Sequence, residues 1–288
     1  MNQIDKTNEG DLKDKQPITN VLTVDVEEWY QTFLFYNTVY NDQHFSSLPR
    51  YMNEILDLFE EYQAQATFFV LGSVAEKYPE LIRDMVRRGH EVASHGYSHQ
   101  LVNRMTQQEF IHDVSVSLDI LKSITGCDIL GYRASTWSIT KNITRAMQTL
   151  RSLGLKYDSS LYPVSRNIFR CSQQQCCPYE IIKGFIEFSP STFRFLGCNC
   201  PFAGGTFLRF LPISFIRNRI RSINKIGQTA MIYFHPWEFY AVIPEARVPL
   251  WKNVIQWGNL PSVRRKLRCL LQEFKFSCVR DVINLNDS

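Results

Sequence analysis

The sequence predicts an α/β fold, a single distorted (β/α) barrel domain, and three observations carry that expectation. From residue 20 onward short apolar runs alternate with amphipathic stretches, the pattern of repeated strand–helix units. A length of 288 residues suits one barrel of this kind. Hydrophobic residues make up 44% of the chain, with 20 Phe and 13 Tyr, which supplies a large core and excludes a disordered chain.

Taken in order, the elements follow from periodicity and punctuation. Residues 21–27, VLTVDVE, read as a strand. RYMNEILDLFEEY (50–62) places Met52, Ile55, Leu56 and Phe59 at helical spacing. ATFFVLG (66–72) is the second strand. A helix follows from Pro79, which suits a first turn, to Gly89, which suits a stop. HEVASHG (90–96) is the third strand. The helix over 106–126 opens with Thr106 three residues before Glu109, a capping box, and stops at Gly126. ILGYRAS (129–135), a helix over 140–154 and LKYDSS (155–160) continue the alternation. Residues 163–206 break it with Pro, Gly, Gln and five cysteines, an irregular insertion with a short strand near 185–190. A basic helix (210–225), the strand TAMIYFHP (229–236), a Pro-rich loop, a helix (261–274) and a last strand near FKFSCVRDV complete a domain spanning 20–285.

Residues 1–19 are polar and predict a disordered tail. No cationic flank with an apolar core opens the chain, and no stretch approaches the roughly 20 apolar residues of a membrane span. The expectation is a cytoplasmic protein whose eight cysteines are thiols. Cys171, Cys176, Cys177, Cys198 and Cys200 lack the paired C-x2-C spacing of well-marked zinc sites. A net charge of +4 is too small to argue for nucleic acid.

Functional side chains of a parallel barrel collect at the C-terminal ends of strands. In VLTVDVE, period-two alternation sets Val24 and Val26 on one face and Thr23, Asp25 and Glu27 on the other. Asp25 and Glu27 then lie roughly 6.6 Å apart along the strand, and Glu28 points away. His95 and His99 follow the third strand, with Gly96 permitting a bend between them. They are either two ligands of one metal ion or two polar loop residues. Two histidines plus a carboxylate form a common catalytic zinc set. Arg133 ends the fourth strand. His235 stands where a strand stops at Pro236, a catalyst or a satisfied core residue, and Asp158 is a candidate or a turn former.

In order, TVDVEEW (23–29), SHGYSH (94–99), GYRAS (131–135), YDSSLY (157–162) and YFH (233–235) resemble the five motifs of the polysaccharide deacetylase family, also called the NodB-homology or carbohydrate esterase 4 family. The resemblance covers about residues 20 to 280, and GGTFLRFLP (204–212) with FHPWEF points to the branch encoded near exopolysaccharide and exosortase loci.

It implies a barrel of the NodB type and hydrolysis of an N-acetyl group on a hexosamine-containing saccharide. It further implies a divalent ion, Zn²⁺ foremost, on Glu27, His95 and His99, with Asp25 as base, Arg133 pairing with Asp25, His235 as acid, and Asp158 orienting His235. Val26 stands where the family has its second Asp, so Glu27 is offered as the replacement ligand. Trp137, Arg209 and Trp237 are candidate saccharide contacts. Two other readings remain: an allantoinase-like amide or imide hydrolase, and a sugar-binding relative with a disabled site. Oligomeric state is open.

Overall fold

The computed structural model describes residues 17–32, 48–163, 177–196, 198–240 and 249–285. Most of the predicted polar tail, together with Cys171 and Cys176, lies outside them.

The strands run β1 (Thr19–Val26), β2 (Thr67–Val70), β3 (Glu91–Ser94), β4 (Gly131–Tyr132), β5 (Tyr157–Asp158), β6 (Tyr179–Ile182), β7 (Phe185–Glu187), β8 (Thr192–Phe195), β9 (Cys198–Pro201), β10 (Met231–Phe234) and β11 (Lys275–Ser277). The helices are α1 (Leu48–Glu61), α2 (Gly72–Lys77), α3 (Pro79–Arg87), α4 (Gln107–Thr125), α5 (Ile143–Ser152), α6 (Gly205–Phe210), α7 (Ile213–Lys225), α8 (Leu250–Trp257), α9 (Pro261–Glu273) and α10 (Val279–Val282). One curled sheet has the order β10-β1-β2-β3-β4-β5-β7-β6, with β11 also on β1. Every pairing in it is parallel except β6 with β7. Among the described residues the path is open between β10 and β6, which makes the barrel distorted.

Alternation along β1 divides two layers. Leu22, Val24 and Val26 pack outward, in the main core beneath the helices. Val21 faces inward with Phe69, Ala93, Tyr157, Phe188, Met231 and Val279, which fill the lumen. Farther along that inner face stand Thr23 and Asp25, whose partners lie on other strands. A filled lower lumen therefore pushes the polar residues to the C-terminal rim.

The helix caps follow the sequence signals. Thr106 Oγ1 accepts the Glu109 N–H at 3.2 Å while Glu109 accepts the Thr106 N–H at 2.7 Å. Gly126 closes α4 with φ 68°.

The departures also have local causes. The predicted helix 210–225 starts only at Ile213, as α7, because Leu211 precedes Pro212 and takes extended ψ 144°, and a separate helix, α6, ends before it. The insertion carries the β8–β9 hairpin as well as β6 and β7. VRDV, expected to continue the last strand, is helical and caps the lumen through Val279. A short helix, α8, occupies part of the expected Pro-rich loop. No helix among the described residues is long and apolar enough to cross a membrane.

Gly204 pairs with Tyr233 at the edge of β10. A Cβ there would sit 2.1 Å from the Tyr233 carbonyl oxygen. Gly204→Ala is expected to cost about 2 kcal/mol or more, because the obstacle is backbone. Thermal melting checks this, and an unchanged midpoint would refute it.

Candidate active site

Six of the predicted residues meet at the rim of the barrel. Asp25 is 3% exposed, and its Oδ1 accepts from Arg133 Nη1 at 2.6 Å. The guanidinium is fully buried and held on every side. Nη1 also donates to Thr23 Oγ1 at 2.9 Å and Nη2 to Ser159 Oγ at 2.8 Å. Its plane lies over the Phe69 ring, 4.0 Å from the centroid. This cradle of strand residues leaves Asp25 in one orientation.

Glu27 lies just past β1 and on the same face as Asp25, as alternation requires. Its Oε2 is 2.5 Å from His99 Nε2 and 3.9 Å from His95 Nε2. The three side chains are buried, and their ligand atoms lie within 4.8 Å of one another. His95 Nδ1 donates to the Arg133 carbonyl at 2.7 Å, so its Nε2 lone pair faces the cluster. Burial pushes the His95 ring down to about 4, which keeps it neutral, the form a metal needs. Burial works against the Glu27 carboxylate, yet the neighbouring histidines, His99 first, hold it down to about 2. A carboxylate and two imidazoles in a dry cluster fit a catalytic divalent cation such as zinc.

The loop that returns His99 is fastened by a residue that no sequence motif marks. The Asp113 carboxylate on α4 accepts the N–H groups of Tyr97 at 2.9 Å and Ser98 at 3.1 Å, and the Ser98 hydroxyl at 2.6 Å. Gly96 turns the chain with φ 77°, and a Cβ there would meet Asp113 at 2.6 Å. Asp113→Ala is expected to weaken metal binding about 10–100-fold, measured by competition with a chelator. Unaltered affinity would show that the loop holds itself.

His235 completes the group from β10. Its Nε2 lies 4.0 Å from Asp25 Oδ2 and 3.8 Å from Glu27 Oε1. Burial opposes the charged ring, but the hydrogen bond to Glu238 and the charges of Glu27, Glu238 and Asp25 prevail and raise it to about 9. A raised value means that the imidazolium stabilises the fold fully below the ordinary 6.5 and that this contribution is lost as pH rises through about 9. In metal-free protein, NMR titration of the ring is expected to give a value near 9, and one near 6.5 would contradict the pairing.

Three expectations need correction. The carboxylate on His235 is Glu238, whose Oε1 accepts from Nδ1 at 2.8 Å, and not Asp158. Asp158 instead accepts from Ser160 N at 3.0 Å and Ser160 Oγ at 2.5 Å, beside Glu187. Burial pushes both of these carboxyls up, Glu187 furthest, as part of the core. Trp237 is no open saccharide wall: it is 4% exposed, stacks on His235 at 5.0 Å, and its indole N–H donates to Glu27 Oε1 at 3.3 Å. Arg209 is 1% exposed and turned to Glu238, away from any open surface.

Trp137 is partly exposed and packs against Tyr162 and Tyr233, with centroids 4.8 and 4.7 Å away. Of the three saccharide candidates it alone keeps exposed surface. Glu238 could have been found from the H-x-x-E spacing of a capping box in HPWE, which the structure indeed forms.

Among the described residues, Cys198 and Cys200 are free thiols. The Glu27–His95–His99 trio is the only cluster there with metal-ligand spacing.

Comparisons with known proteins bear on this geometry. Residues 32–157 match the polysaccharide deacetylase profile, and residues 159–284 match a domain of unknown function, DUF3473. The peptidoglycan-N-acetylmuramic acid deacetylase PdaC of Bacillus subtilis is 34% identical over 131 residues, 43% of this chain and 26% of that protein. The peptidoglycan deacetylase of Helicobacter pylori is 37% identical over 107 residues, 37% of this chain and 36% of that protein. The matches thus span about a quarter to a third of these relatives. A Mycobacterium smegmatis structure described as a polysaccharide deacetylase superposes with TM-score 0.60 at 19% identity, covering 96% of this chain and 94% of that one. A CE4-family pseudoenzyme of Bacillus anthracis superposes with TM-score 0.50 at 10% identity, covering 93% and 66%, so the fold is shared by a relative described as a pseudoenzyme. The chain thus carries a polysaccharide deacetylase domain over residues 32–157, adjoined by DUF3473 over 159–284, and shares its fold with the Mycobacterium smegmatis structure.

Proposed function

We propose that this chain is a metal-dependent deacetylase that hydrolyses the N-acetyl group of a hexosamine in a polysaccharide or its precursor. One observation supports it above the others: the Glu27–His95–His99 donor set shares the rim with Asp25, which is paired with Arg133, and with His235. A cofactor alone would need only the trio. His235 Nε2 lies 3.8 Å from Glu27 of the trio and 4.0 Å from Asp25, and a base and an acid set beside one donor cluster are what amide hydrolysis adds to it.

A divalent cation on the trio would supply a Lewis acid for the acetyl carbonyl and lower the pKa of a water beside it. The protein's own groups do the rest. Asp25, aimed by Arg133, accepts the proton of the attacking water. His235 Nε2 gives a proton to the departing amine, because Nδ1 is tied to Glu238 and only Nε2 faces the reacting atoms. A main-chain N–H in the turn after Arg133 shares the oxyanion.

The substrate follows from the relatives' chemistry and from the exopolysaccharide-branch motifs. Two curated relatives are peptidoglycan deacetylases, and a third, from Sinorhizobium fredii, is a chitooligosaccharide deacetylase 49% identical over 51 residues. An exopolysaccharide carrying N-acetylhexosamine is the substrate class this reading assigns.

The test is acetate release from chitooligosaccharide and from acetylated exopolysaccharide by zinc-loaded protein, beside a chelated sample. Acetate that appears only with metal supports the reading. Stoichiometric metal without acetate from any N-acetylhexosamine polymer would count against it, and an imide substrate turned over instead would replace it.

A further inference from the structure

Arg209 belongs to the stretch GGTFLRFLP and is almost fully buried, 1% exposed. A guanidinium without water needs compensation on all its nitrogens. Nη1 donates to the carbonyls of Gln256 at 2.7 Å and Gly258 at 3.0 Å, and Nη2 to the carbonyl of Ile255 at 2.6 Å. These are the carbonyls at the C-terminal end of α8, which have no partner within their helix and carry its negative dipole end. The carbonyl of Arg209 itself accepts from Asn259 Nδ2 at 2.6 Å and Lys266 Nζ at 2.6 Å. Both ends of the residue are therefore fixed to α8 and α9.

One nitrogen remains, Nε, and it lies 3.1 Å from Glu238 Oε2, an ion-pair contact without an aligned hydrogen bond. Glu238 has no exposed surface. Its other oxygen, Oε1, accepts both Nδ1 of His235 at 2.8 Å and the His235 backbone N–H at 3.1 Å. The carboxylate is thus a bridge, one oxygen on the arginine and one on the histidine.

We propose that Arg209 and Glu238 are a positioning pair that holds His235 in the one ring orientation in which Nε2 faces Asp25 and Glu27. The inference rests on the deacetylase reading above. The χ2 torsion of histidine is broad and nearly two-fold, so stacking on Trp237 sets the plane of the ring but not which nitrogen points into the site. Glu238 makes that choice, since only a ring with Nδ1–H toward it satisfies the buried carboxylate. Arg209 keeps Glu238 in place: without the guanidinium, a buried carboxylate loses its only cation contact among the described residues besides the His235 ring itself. The α8 carbonyls keep Arg209 in place in turn. This accounts for an arginine that a surface reading of GGTFLRFLP would turn toward the saccharide.

The experiment uses full-length zinc-loaded protein and four variants, Glu238→Gln, Arg209→Met, Arg209→Lys and the Glu238→Gln/Arg209→Met double. The first readout is ¹⁵N NMR of the imidazole N–H groups, with the His235 signal identified by its loss in His235→Gln. A slowly exchanging, downfield Nδ1–H resonance is expected in wild type and is expected to vanish in Glu238→Gln and Arg209→Met. The second readout is kinetics on chitooligosaccharide. Glu238→Gln and Arg209→Met should each lower kcat about 10²-fold with KM unchanged and zinc retained. The double variant should be no slower than Glu238→Gln alone, and Arg209→Lys should recover part of the loss.

If Arg209→Met does not fold, Glu238→Gln, which keeps its volume, and Arg209→Lys still test the pair. An Arg209→Met protein that melts early but keeps wild-type kcat and the Nδ1–H resonance would overturn the proposal and leave Arg209 a cap for α8. A wild type that releases no acetate, yet loses the resonance in Arg209→Met, would uphold the pairing and sink the deacetylase reading instead.

Discussion

Asp25→Asn is expected to lower kcat about 10³-fold while the bound metal stays at its wild-type level. The substitution preserves shape and removes only the ability to accept a proton, and a placed general base contributes about 10²- to 10⁴-fold. Arg133 would lose its buried ion-pair partner but keep its bonds to Thr23, Ser159 and the lumen wall. The barrel should therefore survive, at reduced stability. Because Asp25 is not in the donor trio, metal content measured by mass spectrometry should not change. Turnover that persists in the Asn variant would place the base elsewhere, and metal lost with it would make Asp25 a ligand.

His95→Ala is expected to reduce metal from about one ion per chain to near none and to bring turnover to background. Two ligands cannot hold a catalytic zinc as three do, and this ring also fixes the Arg133 carbonyl through Nδ1. The comparison that makes the result decisive is a Cys198→Ser/Cys200→Ser variant, which should retain the ion. Metal that stays in His95→Ala and leaves with the cysteines would move the site to the β8–β9 hairpin, outside the barrel rim.

Much of this site is legible in the amino-acid sequence. The alternation in VLTVDVE is a local steric property of an extended chain, so it sets Asp25 and Glu27 on one face whatever their neighbours are. The capping box at Thr106 and the stop at Gly126 are equally local. The spacing of His95 and His99 is ambiguous alone and gains meaning from the carboxylates two strands away. The roles of the buried polar residues are harder to read. Asp158 and Glu238 are both acids near strand ends, and nothing within a few residues of Asp158 rules it out as the partner of His235. The helical spacing of α6 likewise says that Arg209 lies on a turn, not that the turn faces inward.

The sequence by itself therefore determined the barrel, the order of its strands' functional residues and the inward face of β1, because periodicity of two or 3.6 is set by each residue's own backbone and side chain. Only the tertiary structure decided that Asp158 stands apart from His235, that Arg209 turns away from solvent to the end of α8, and that Asp113 fastens the histidine loop. Those choices depend on how far the sheet curls and which helix end lies against it. The contacts of Arg209 and Asp113 join segments well separated in the chain, such as Arg209 with Ile255 at a separation of 46, and no local pattern encodes them.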